Sequence, residues 1–333
     1  MFRNNHANFF MHFTRLLFAS LFFVSAICHA DTWTDPAVAG KEDPAFLIQG
    51  EYGVAESGQA WGAHVIAMGE GNFDAYLLEG GLPGLGYTRE KARTKLTGKS
   101  AEGKTSLQSE DGKLTATIAG GKITLQRDGK PLAELARVER KSSTLGEKPP
   151  AGAIVLFDGS SADEWNKPEA LQDGLLANLD ISTKRKFHSY KLHLEFRTPY
   201  KPKARGQGRG NSGVYHQHRY ETQVLDSFGL TGEYNETGGI YTISKPIVNS
   251  CLPPLQWQTY DVDFTTAEFD ESGKLVKNAR MTVHLNGVLV QDDTDLPKTT
   301  GGAKLKITPE PGPIYIQHHG NPVFYRNIWV VEK

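Results

Sequence analysis

Apolar residues in this chain recur at every second position, and that period restricts the fold more than any other feature. Residues 190–197 (YKLHLEFR) show it most clearly. Leu192, Leu194 and Phe196 alternate with Lys191, His193, Glu195 and Arg197. Successive side chains of a strand point to opposite faces, so the segment has one apolar and one charged face. Similar runs are predicted as strands at 114–118, 122–127, 132–138, 257–264, 279–285, 314–317 and 323–331, and shorter apolar ones at 61–68, 73–78 and 153–157. Asp128-Gly129 and Asn286-Gly287 sit between such runs and read as two-residue hairpin turns. Helical periodicity is scarce, while 35 glycines and 17 prolines supply turns. The chain therefore reads as all-β. A jelly-roll sandwich is expected over 153–333, and a smaller antiparallel β domain before it, within 31–140.

A length of 333 residues leaves room for about two domains. Residues 141–152, which include KSSTLGEKPP, read as an extended, semi-rigid linker. Residues 31–49 read as a lead-in with turns at Asp35-Pro36 and Asp43-Pro44. The glycine-rich run 80–86 lacks the Lys-Ser/Thr ending of a phosphate loop and reads as a plain loop. Formal net charge is -1, so no positive field attracts a phosphate backbone and nucleic acid is not expected as a partner. At the start, Arg15 precedes an apolar run at 16–27, and Cys28-His29-Ala30 follows. This is the pattern of a secretory signal cleaved after Ala30. A secreted or periplasmic location is expected, with no transmembrane anchor after cleavage. Cleavage removes Cys28 and leaves Cys251 alone, so stability must come from the core and Cys251 reads as a buried apolar residue.

Polar residues concentrate at 209–229 (RGNSGVYHQHRYETQVLDSFG). Glu221 and Gln223 share one face of a strand with Leu225, and Thr222, Val224 and Asp226 share the other. Buried polar groups are costly unless paired, so a face bearing a carboxylate and an amide is a candidate cleft wall; a solvated sheet face fits the alternation equally well. His216 and His218, two apart, are expected on one face with Val214, where a divalent cation is a candidate ligand. No cofactor is otherwise indicated. Trp257 and Trp165 read as core. Residues 201–209 read as a basic, mobile loop.

Together these segments resemble the 3-keto-disaccharide hydrolase family. The resemblance is carried in order by LFDG (156–159), LEFR (194–197), GNSGVYHQHRYETQVLDS (210–227), GGIY (238–241), WQTYDVDF (257–264), ARMTVHLNGVLV (279–290) and IYIQHHGNPVFYRNIWV (314–330). It implies a concanavalin A-like sandwich acting on glycosides already oxidised at C3. A C3 ketone acidifies the C2 proton. A base removes it, the C1 group leaves by elimination, and water adds back. Such a route requires a base, an acid for the leaving group and a partner for the enolate. His319 and Glu221 are the candidate acid and base, with Arg197 or a bound cation for the enolate. Gln223 and Asn211 are candidates to hold sugar hydroxyls, with Asp226, Tyr241, Gln317 and Arg326 as further substrate-binding candidates. Two alternatives stand beside this one. Glu221-x-Gln223-x-x-Asp226 has the spacing of a retaining glucanase of the laminarinase type, which needs two carboxyl groups about 5–5.5 Å apart. A non-catalytic carbohydrate-binding module would use Trp165, Trp257, Tyr241 or Tyr215 as stacking platforms. Convergence of His319, Glu221 and Arg197 on one pocket is the feature that favours catalysis over binding.

Overall fold

The computed structural model describes residues 32–333, together with Met1. The expected signal segment, its cleavage point and Cys28 lie outside the described residues. Asp31–Lys333 form one compact unit with two hydrophobic cores. No helix among the described residues is long and apolar enough to cross a membrane.

Asp35-Pro36 and Asp43-Pro44 start short helices rather than turns, α1 (Pro36–Glu42) and α2 (Pro44–Ile48). Asp35 Oδ1 accepts from the amides of Ala37 and Val38 at 2.7 and 3.1 Å, and proline follows at the first helical position. An acidic N-cap before proline is a helix start, because proline has no amide to leave unsatisfied there.

Eight antiparallel strands follow: β1 (Gly50–Tyr52), β2 (Trp61–Gly69), β3 (Asn72–Glu79), β4 (Arg93–Ala101), β5 (Lys104–Gln108), β6 (Leu114–Ala119), β7 (Lys122–Arg127) and β8 (Lys130–Val138). Pairing of β1 with both β2 and β8 closes them into a barrel. Closure leaves no exposed edge. The apolar pattern shows no strand over β4 and β5, because Leu96 and Leu107 are the large apolar side chains they turn inward. The Asp128-Gly129 turn between β7 and β8 has φ of 50° and 74°, and Asn286-Gly287 has 56° and 79°. Both residues of each pair take the left-handed conformation that such a hairpin requires.

The second half contributes β9 (Ile154–Phe157), β10 (Leu171–Gln172), β11 (Leu175–Ala177), β12 (Ile181–Ser182), β13 (Tyr190–Arg197), β14 (Ser212–His216), β15 (Tyr220–Val224), β16 (Gln258–Thr265), β17 (Glu268–Phe269), β18 (Leu275–Lys277), β19 (Ala279–Leu285), β20 (Val288–Leu296), β21 (Tyr315–His318) and β22 (Phe324–Glu332). The large sheet runs β10-β11-β22-β13-β16-β19-β20, with β9 also paired to β22, and the small sheet runs β12-β21-β14-β15. Leu192, Leu194, Phe196, Tyr260 and Val262 of the large sheet pack with Val214, Tyr220, Val224 and Ile316 of the small one. Those inward faces make the core. The outward faces of β13 and of β15 therefore lie on opposite sides of the sandwich.

The linker is not a free spacer. Gly146 N donates to Glu195 Oε1 at 2.6 Å and Thr144 Oγ1 to Asp261 Oδ2 at 2.6 Å, so it docks on the large sheet's outer face.

Candidate active site

The outer face of the small sheet carries a row of ring and carboxyl side chains. Tyr315 pairs with Tyr215 and Tyr215 with Glu221. Beyond β15, Ile240 bridges Thr222 and Tyr241 N donates to Glu221 O at 3.1 Å. The row thus reads Tyr315, Tyr215, Glu221, Tyr241. A parallel row holds Gln317, Gly213 and Gln223. Gly213 is where the row needs a missing side chain: a Cβ there would lie 2.1 Å from Glu221 Oε1.

Glu221 is 3% exposed. Burial pushes its carboxyl up to about 8, against the hydrogen bond from Tyr215, which lowers it. The hydrogen-bond inventory agrees. Tyr215 Oη is 2.8 Å from Glu221 Oε2, 2.8 Å from Gly301 O and 3.3 Å from Gln317 Nε2. A phenol has one proton, and Glu221 and Gly301 O would both take it. Protonation of Glu221 would remove one acceptor, letting its carboxyl donate to Tyr215 Oη while Tyr215 donates to Gly301 O. Burial thus biases this carboxyl toward its protonated form, the state a general acid requires.

His218 joins this face through the turn after β14. Gln217 and His218 take φ of 52° and 56°, which swings the imidazole over the ring of Tyr315, with centroids 4.1 Å apart. Burial, reinforced by Lys304, lowers its pKa to about 4, so it is neutral at physiological pH. Its Nε2 is buried and has no partner. Tyr315 Oη in turn donates to Asp180 Oδ1 at 2.5 Å.

At the end of this face nearest Asn211, amides dominate. Gln207 Oε1 accepts from Asn211 Nδ2 and from Gln223 Nε2, each at 3.0 Å, and Gln207 Nε2 donates to Asn235 O at 2.8 Å. Asn211 Oδ1 is buried without a partner. Loop 201–209 is anchored rather than loose: Arg205 Nη2 donates to Met68 O at 2.8 Å and Lys201 Nζ to Asn321 Oδ1 at 2.7 Å.

The expected convergence of His319, Glu221 and Arg197 does not occur. Glu221, Gln223, Gln317, Tyr241 and Asn211 gather on the small sheet's outer face. Arg197 and Arg326 lie on the opposite side of the sandwich, because β13 and β22 turn them away from the core. There both guanidiniums cover Trp257, at 4.9 and 4.1 Å from its ring, and Arg326 Nε donates to Glu195 Oε2 at 2.6 Å. Trp257 is half-buried beneath them rather than in the core. Trp165 is core, donating Nε1 to Leu156 O. Asp226 is buried and engaged by Arg209 Nε at 2.6 Å, so it holds a turn and is no substrate ligand. His319 is exposed on the turn just past β21, where its carbonyl accepts from Asn321. His216 and His218 do not share a face: His216 is buried in the core, with Nδ1 3.0 Å from Tyr190 Oη and Nε2 3.0 Å from Thr222 Oγ1. Both ring nitrogens are occupied, so the pair is not a ligand set. Cys251 is buried, and its thiol is pushed up to about 12 by burial.

Sequence reasoning missed Tyr315 and Gln207, and gave His218 and Tyr215 other roles, as a cation ligand and a stacking platform. Their signal is cross-strand register, which the pattern of one strand does not carry.

Among the described residues, Glu147, His193 and Asp261 bring metal-type donor atoms within 4.8 Å of one another. They lie on the large sheet's outer face. His193 Nδ1 is 2.6 Å from Asp261 Oδ1, and Glu195 Oε1 is 3.9 Å from Nε2. Burial opposes its charge, but the two carboxylates outweigh burial and raise His193 to about 9. Without an ion, a proton on His193 pairs it with these carboxylates; the donor atoms of Glu147, His193 and Asp261 are the candidate cation site among the described residues, on the face opposite Glu221.

Comparison with known proteins agrees with this fold. The 3-keto-alpha-glucoside-1,2-lyase-like domain matches residues 152–331. A candidate glycosyl hydrolase from Parabacteroides distasonis is 35% identical, with TM-score 0.50, over 55% of this chain and 85% of that one. Two further candidate glycosyl hydrolases from the same organism are 19% and 20% identical, each with TM-score 0.39, over 55% and 54% of this chain and 94% and 99% of theirs. No curated protein matches the chain. The chain belongs to the 3-keto-alpha-glucoside-1,2-lyase-like family and is a carbohydrate-active enzyme of the glycosyl hydrolase kind.

Proposed function

We propose that the Glu221 face cleaves glycosides already oxidised to the ketone at C3. The C3 carbonyl acidifies the C2 proton. His218, neutral and with an unpartnered ring nitrogen, takes the base's place on this face instead of His319. Loss of that proton gives the enolate. The enolate's electrons then form the C1–C2 double bond as the C1–O bond breaks, and the departing oxygen receives its proton from Glu221. Water adds at C1 and a proton returns to C2, so the net change is hydrolysis. The observation that carries this reading is the carboxyl of Glu221, buried on this face at 2.8 Å from Tyr215 Oη.

Arg197 is unavailable for the enolate. A cation on this face would meet one carboxyl and several amide oxygens. The candidate donor trio of Glu147, His193 and Asp261 lies on the opposite side of the sandwich, so no step is assigned to a cation here. The leader-like segment 16–30 supports a secreted or periplasmic setting, which fractionation of the tagged chain would test. Retaining glucanase action is disfavoured, because Asp226, the second carboxyl of that spacing, is buried against Arg209. A pure binding module is disfavoured because Tyr215 is fully buried.

The test compares alkyl and p-nitrophenyl 3-keto-glucosides with wild type and Glu221→Gln. Loss of a general acid costs about 10²–10⁴ in rate, expected in full on the alkyl substrate. p-Nitrophenolate leaves without a proton, so the deficit should largely vanish there. An equal loss on both removes Glu221 from that role.

A further inference from the structure

We infer that Gln207 is a positioning residue that fixes the hydrogen-bonding sense of the Asn211 and Gln223 amides, and that the barrel holds Gln207 in place through the loop 201–209. The inference rests on the reading of the Glu221 face as the active site.

A backbone carbonyl cannot reverse its hydrogen-bonding sense. Asn235 O accepts at 2.8 Å, so the Gln207 atom facing it must be the NH₂ group. Gln207 then presents its oxygen to the site. That oxygen has only acceptor capacity, so Asn211 and Gln223 must each turn an NH₂ group toward it, as their 3.0 Å contacts require. Gln223 Oε1 is taken up locally, accepting from Val224 N at 3.1 Å, and its Nε2 also reaches Asn235 O at 3.3 Å, so Gln207 reinforces a sense that the backbone shares in setting. Asn211 Oδ1 is left over, buried and without a partner. Such an acceptor is costly until something donates to it. A ligand group beside Asn211 must therefore be a donor: a sugar hydroxyl fits and a ketone does not. Asn211 thus separates the hydroxyl-bearing part of a keto sugar from its carbonyl.

Gln207 is half-buried on a one-turn helix, Gly206–Gly208, in the loop between β13 and β14. The barrel secures the loop on both sides of it. Arg205 Nη2 donates to Met68 O at 2.8 Å, and Arg209 Nη1 to Ala67 O at 3.5 Å. Gly69 takes φ of 84° beside Lys203, where a Cβ would lie 2.6 Å from Lys203 Cγ. Residues 67–69 end β2 and begin its turn into β3. The barrel therefore has a role at the active face without supplying a catalytic group.

The test follows the side-chain amide hydrogens of Asn211 and Gln223 by NMR in the full chain with ¹⁵N-labelled Asn and Gln. Both should exchange slowly in wild type. Gln207→Ala should release Asn211 to rapid exchange and speed Gln223 by less, and Arg205→Ala should speed both. Gln207→Glu sets an acceptor against Asn235 O in place of the NH₂ group, so it should also speed the exchange of both. Kinetics supply the second readout, with monodeoxy 3-keto-glucosides. In wild type, one deoxy position should raise KM by about tenfold, the size of a lost hydrogen bond, with kcat changed less. Asn211→Ala and Gln207→Ala should each erase the penalty at that same position. Continued protection of both amides in Gln207→Ala would overturn the inference whatever the substrate. If the amides respond as expected but wild type turns over no 3-keto glycoside, the positioning stands and the functional reading fails.

Discussion

Burying Glu221 as a neutral acid should leave a pH-dependent mark on stability. Its carboxyl is raised from an ordinary 4.5 to about 8. Between those values the folded chain keeps a proton that the unfolded chain releases. The stabilising contribution is therefore full below about pH 4.5 and is lost as pH rises through about 8. Each pH unit in that interval corresponds to about 1.4 kcal/mol, and 8 minus 4.5 gives about 5 kcal/mol as an upper bound. Glu221→Gln cannot ionise and lacks this dependence. Its stability relative to wild type should rise by several kcal/mol between pH 5 and pH 9, while other titrating groups cancel in the comparison. Denaturant unfolding of both proteins at the two pH values reads the difference. A stability gap that does not move would refute the buried neutral carboxyl, and with it Glu221 as proton donor.

Other consequences follow from the same coordinates. Gly213→Ala would place a Cβ 2.1 Å from Glu221 Oε1, so kcat on a 3-keto glycoside should fall at least a hundredfold while circular dichroism remains β-rich. Arg197→Ala should leave kcat and KM within about twofold, as only a residue on the far side of the sandwich would; a hundredfold loss would return Arg197 to the site. Glu195→Ala removes the partner of Arg326, Gly146 and Asn327 and a neighbour of His193. It should cost about 3–5 kcal/mol of unfolding free energy. His193 is raised to about 9, so its paired charge contributes fully below about pH 6.5 and fades as pH rises through about 9. The penalty of Glu195→Ala should shrink over that range.

Much of the sandwich was legible because β13 and β19 alternate sharply and because Asn286-Gly287 can only be a tight hairpin. Barrel closure was not, since β4 and β5 bury little more than Leu96 and Leu107 and their pairing partners are set by register. The site was half legible. Glu221 and Gln223 stand out as polar residues on a buried strand, and Asn211 and Gln317 fall beside them. The period of β13 places Arg197 on a charged face but does not say which side of the sandwich that face will be. His218 was misplaced because two left-handed residues end the alternation that the sequence pattern assumes. Gln207 looked like part of a loose basic loop. Its role comes from Asn235 O and Met68 O, neither of which has a side-chain signature.

The central claim is that a ketone already present at C3 makes the glycosidic bond cleavable on the Glu221 face. Incubation of the enzyme in D₂O with a 3-keto-glucoside, beside its unoxidised counterpart, tests this most directly. The account expects aglycone release from the oxidised sugar alone, with deuterium at C2 of the product. Release from the unoxidised sugar at a comparable rate, or product without deuterium at C2, would contradict it.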